Sequence, residues 1–149
     1  MSRHVAELAW RSEGEFAGGR YSRRHELRFD GGAIVAASAA PEVVPAPMSD
    51  PAGVDPEEML VAAVASCHML WFLDLARRAG LDVASYRDEA RGIMGKLEGR
   101  TAITHIVLRP RIAFEGNPPD DATLTRLHHE AHENCFIANS LRSEVVVES

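Results

Sequence analysis

The chain has 149 residues and a formal net charge of −6. That length suits a single domain, residues 1–149, with a sizeable buried core. The negative balance gives no general attraction to nucleic acid or to an anionic membrane.

The N-terminus, Met1 to Glu7, lacks the apolar core of a signal peptide, so the protein is expected to be cytoplasmic. A static disulfide is disfavoured in such a reducing compartment. Cys67 and Cys135, 68 positions apart, are then either inert core residues or a redox pair.

In chain order, His4 to Trp10 reads as a first strand, and Gly14 to Gly19 as loop. Arg24 to Phe29 alternates polar and apolar residues. Asp30-Gly31-Gly32 then reads as a hairpin turn into Ala33–Ala37. Pro41 to Gly53 holds four prolines and no periodicity, and is expected to be a long loop.

The central stretch starts at Asp55-Pro56-Glu57-Glu58. Asp55 suits the N-cap, Pro56 the first helical position, and Glu58 the third place of a capping box. From Met59 to Leu73 no residue is formally charged, and apolar side chains fall on every face. The helix is therefore expected to be enclosed by protein on most sides. The uncharged run is 15 residues, against roughly 20 for a membrane span. Arg77, Arg78 and Gly80 read as the helix stop.

Leu81 to Ile93 reads as strand, Gly95 to Gly99 as turn, and Thr101 to Phe114 as one long strand with an irregularity at Pro110. Asn117 to Asp121 breaks the chain and caps a helix over about Ala122–Asn134. Ser143 to Glu148 closes as a Val-rich strand. This order predicts an α+β fold rather than alternating βαβ units.

Cys67 in mid-helix gains nothing from a helix N-terminus. A reactive thiolate there needs a nearby cation, and the sequence candidates are Arg20, Arg23 and Arg24. Paired with Cys135, it could form a sulfenic acid and then a disulfide, which an external dithiol would reduce. Glu57 is an acidic first-turn residue that complements the helix dipole. His128 and His132, at i and i+4, could share a metal or could simply occupy a solvated helix face.

The Asp55-Pro56-Glu57-Glu58 start, the apolar helix with Ser66-Cys67-His68 at its centre, and Ala131-His132-Glu133-Asn134-Cys135 on a later helix together resemble the OsmC/Ohr family. The likeness runs over nearly the whole chain. It implies an OsmC-like fold, with antiparallel sheets packed around a long buried central helix in an intertwined homodimer. It further implies a thiol-dependent peroxidase for organic hydroperoxides that needs no cofactor and is recycled by an external dithiol, for example of lipoyl type.

By the same resemblance Cys67 is the peroxidatic residue and Cys135 the resolving one, and Glu57 holds a catalytic arginine. A Gly-Gly-Arg segment points to Arg20. Tyr21-Ser22-Arg23-Arg24-His25 points to Arg23, which is the assignment preferred. His68 stands where better-known branches carry an aromatic residue. Met59, Met69, Trp71 and Phe72 are candidates to line an alkyl pocket.

Glu57 and Cys67 are about 15 Å apart along a straight helix. Joint service in one site therefore needs a bend or a second subunit, and shared sites at a dimer interface are expected. The alternative is a non-catalytic OsmC-like protein that binds a small ligand or serves in the stress response.

Overall fold

The computed structural model describes residues 1–148. Five strands precede a long helix, and four strands, a second helix and a last strand follow it. The backbone divides into two compact units, Met1–Met59 and Leu60–Ser149.

In the first unit, β1 (Ala6–Trp10), β4 (His25–Phe29) and β5 (Ile34–Ala37) form an antiparallel sheet in the order β1-β4-β5. The Asp30–Gly32 turn joins β4 to β5, and Gly32 has φ +96°, a conformation that glycine adopts at no steric cost. The stretch read as loop contains a minimal hairpin of β2 (Gly14–Glu15) and β3 (Arg20–Tyr21).

Pro41–Gly53 has no regular structure, as its prolines imply. It is pinned nonetheless. The Asp50 N–H donates to Ser38 Oγ at 2.9 Å, and the Arg23 N–H donates to the Met48 carbonyl at 2.8 Å.

Helix α1 runs from Pro56 to Arg78. Its capping box is complete. Asp55 Oδ1 accepts from the Glu58 N–H at 2.7 Å, and Glu58 Oε2 accepts from the Asp55 N–H at 3.1 Å. Gly80 ends it at φ +79°. In the single chain the helix is enclosed along one stripe and not on most sides as its composition implied: Val64, His68, Phe72 and Ala76 are buried, while Leu70 stays 61% exposed. The spacing of four keeps that stripe on one helix face. By length and composition α1 could cross a membrane, but it is the core helix of the second unit.

The second unit differs from the sequence expectation in two places. Leu81–Ile93 is not one strand. It holds β6 (Val83–Asp88) and the start of β7 (Arg91–Leu97), which runs through Gly95 to a tight Glu98-Gly99 turn. Both turn residues have positive φ, as a two-residue hairpin favours.

Thr101–Phe114 likewise splits into β8 (Arg100–Leu108) and β9 (Pro110–Phe114), which pair with different partners. Pro110 has no N–H to give to a ladder, so the break falls there. β7 and β8 are antiparallel, and β10 (Glu144–Val147) joins β8 in parallel. β6 and β9 form a separate antiparallel pair.

Helix α2 (Asp121–Asn134) is capped by Asp120, whose Oδ1 accepts from the Thr123 N–H at 2.8 Å. Two apolar clusters hold α1. Val64 packs with Ile103, Ile106 and Leu108 of β8. Phe72 and Ala76 pack with Leu127 and Ala131 of α2.

Candidate functional site

The α1–α2 contact carries two neighbouring stripes. On the first, His68 and Phe72 face Leu127, His128 and Ala131. On the second, Cys67 and Trp71 meet the chain as it leaves α2, at Cys135 and Phe136. Trp71 lies one helical turn after Cys67, and its ring packs edge-on to Phe136 at 5.5 Å between centroids.

The two thiols are free and are neighbours. Cys135 is only 1% exposed, whereas Cys67 is half-buried. Burial pushes the Cys135 thiol above its ordinary range, and the adjacent Cys67 sulfur pushes it further. The Ala138 N–H, at 3.4 Å from Cys135 Sγ, works the other way. The pair is thus asymmetric. One cysteine is partly exposed, and the other is enclosed and held as the neutral thiol.

Of the residues expected to line an alkyl pocket, Phe72 does not. It is wholly enclosed in the core. Trp71 and Met69 are half-buried. Leu70 and Phe136, at 61% and 67% exposed, add apolar surface on the same two segments.

Arg23 and Glu57 belong to the first unit. The Arg23 guanidinium lies 3.5 Å over the Tyr21 ring centroid, and its Nη1 donates to the carbonyls of Gly19 (3.1 Å) and Tyr21 (2.6 Å). Arg20 is paired instead with Glu15 in an exposed ion pair. Among the described residues Arg23 has no carboxylate partner, and Glu57 Oε2 is buried with no hydrogen bond. A carboxylate oxygen in that condition is costly unless a donor meets it.

Sequence reasoning missed one feature. His68 Nε2 and His128 Nδ1 lie 3.0 Å apart, with the rings stacked 10° from parallel. The residues are 60 positions apart in the chain and are 1% and 5% exposed. Burial lowers both imidazoles to about 4, and for His68 the neighbouring His128 and His132 add to the effect. The spacing of His128 and His132 was the available signal. Nothing local to His68 announced its partner.

Residues 49–149 match the family described as OsmC-like protein. The chain belongs to that family. An OsmC-like protein of unknown function from Vibrio cholerae is 50% identical, with a TM-score of 0.96 and 99% of both chains covered. An uncharacterized Bacillus subtilis protein, YmaD, is 27% identical over 105 residues, which is 68% of this chain and 70% of that protein. An organic hydroperoxide resistance protein from Legionella pneumophila shares the OsmC-like fold at 17% identity, with a TM-score of 0.68 over 99% of this chain and 95% of that one.

Proposed function

We propose that this OsmC-like protein is a soluble, cytoplasmic thiol peroxidase that reduces organic hydroperoxides. The observation that carries the reading is the pair of unequal, adjacent thiols on α1 and at the end of α2. Proteins of the same fold named for organic hydroperoxide resistance support the substrate class.

Cys67, the partly exposed cysteine, attacks the peroxide as the thiolate. The O–O bond breaks, Cys67 becomes a sulfenic acid, and the alkoxide leaves as the alcohol after taking one proton. Cys135 then attacks the sulfenic sulfur. A disulfide forms and water leaves. An external dithiol of lipoyl type restores both thiols and becomes the oxidised partner. No bound cofactor enters the scheme.

Arg23 is the cation assigned to favour the Cys67 thiolate and to orient the peroxide. Two facts support it over Arg20. Arg20 is already paired with Glu15, and Arg23 is seated on Tyr21 with no carboxylate partner among the described residues. Glu57 is assigned to hold that guanidinium in the working assembly, and its unpartnered buried oxygen fits the role. The assembly is a homodimer with shared sites. Leu8, Trp10, Phe16, Phe29 and Ile34 of the first unit are all exposed in the single chain and offer apolar surface to a second copy.

The test is turnover of cumene hydroperoxide with a dithiol reductant. Cys67→Ser is expected to abolish it. Cys135→Ser is expected to consume one equivalent of peroxide and stop. Full turnover by Cys67→Ser, or an intact fold that loses no thiols to peroxide, would turn the reading toward a ligand-binding protein.

A further inference from the structure

A pocket of about 240 Å³ opens beside α2, with Leu124, Val145 and Val147 as its apolar walls and His128, His129 and His132 as its polar ones. The redox scheme makes no use of it. His128 and His132 are one helical turn apart on one face of α2, the spacing at which two imidazoles meet a common ion.

The His128 ring is held from behind. His128 Nδ1 is held by His68 Nε2 at 3.0 Å, and His68 is itself 1% exposed. His132 Nδ1 is enclosed without a partner. The remaining nitrogen of each ring, Nε2, is neither hydrogen-bonded nor walled off. Both therefore have a free position on the histidine-lined side. His129 is different, since it is exposed and its Nε2 lies 3.3 Å from Glu133.

We propose that His128 and His132 form a site for a borderline divalent transition ion, of the Zn²⁺, Ni²⁺ or Co²⁺ class, bound through their two Nε2 atoms. Imidazole nitrogen suits these ions and not Mg²⁺ or Ca²⁺. His68 would act as the outer partner. With the ion on His128 Nε2, the ring's one proton sits on Nδ1 and donates to His68 Nε2, an imidazole acceptor in the place where a carboxylate, carbonyl or water usually backs a metal-bound histidine. Among the described residues no three such donors converge, so water fills the other positions and the ion keeps an open coordination sphere. The site is separate from the thiols, although the His132 carbonyl accepts from the Cys135 N–H at 3.2 Å and ties the two regions through one turn of backbone.

The experiment is calorimetric titration of ZnCl₂ into the tag-free, chelator-treated full chain carrying Cys67→Ser and Cys135→Ser, so that no thiol can supply a ligand. One ion per chain is expected, bound at least tenfold more weakly after His132→Gln and unchanged after His129→Ala. No binding, or equal affinity in His132→Gln, overturns the proposal. The wild-type chain gives an independent readout by NMR of the ring nitrogens. Zinc is expected to move the Nε2 resonances of His128 and His132 together, and stationary resonances contradict the site.

Discussion

The two stripes of α1 share a helix and a neighbour but have opposite characters. Val64, His68, Phe72 and Ala76 are fully enclosed, and apart from the histidine they are ordinary core. Cys67 and Trp71, one position earlier in the same repeat, stay half-open and meet Cys135 and Phe136. A shift of about 100° around the helix thus separates the residues that hold the fold from those to which the proposed chemistry is assigned. The sealed stripe fixes where α1 and α2 lie, and the open one inherits that geometry, with Cys67 set beside Cys135.

Substitutions on either side should separate the two roles. The largest effect expected is on the open stripe, where Cys67→Ser removes all peroxide turnover while leaving the urea midpoint within the range of a surface change. Loss of stability together with activity would mean that the sulfur is mainly a packing residue. Next is the sealed stripe. Phe72→Ala should cost about 3–5 kcal/mol, because a large aromatic leaves a cavity between α1 and α2. Urea denaturation measures it, and a cost of the size seen at surface sites would mean that the helices close up freely.

A third test uses the buried imidazoles. His68 and His128 titrate near 4 in the folded chain against about 6.5 when unfolded. Between those values the unfolded chain binds more protons. Their contribution is therefore fully present above about pH 6.5 and is lost as pH falls toward 4. Thermal melting in chelator should show that decline, and His68→Met should flatten it. An identical slope in the variant would assign the pH dependence to other groups. The smallest effect concerns the helix start. Asp55→Ala should cost about 1 kcal/mol by removing the acceptor for the Glu58 N–H.

Much of this was legible in the chain because the signals are local. The Asp55–Glu58 box, the Gly80 stop, the Asp30–Gly32 turn and the break and cap over 117–121 each act within a few residues, and the structure has all four, with Asp120 as the capping residue of the last. The break at Arg109-Pro110 was harder to read. Side-chain alternation hardly pauses there, and what ends the strand is a missing donor and a change of partner. The His68–His128 contact was not legible at all, since it is made only when α2 docks on α1. The two thiols were legible as a candidate pair, their separate roles came from the resemblance, and their inequality came from the fold. One is capped behind the end of α2, and the other stands on the open stripe.

The most direct measurement is peptide mapping under non-reducing conditions after one equivalent of cumene hydroperoxide is added to the reduced chain. The account predicts an intramolecular disulfide between Cys67 and Cys135, formed with the loss of both thiols and reversed by a dithiol. Cys67 halted at the sulfenic acid while Cys135 remains a free thiol, or neither cysteine changed, would contradict it.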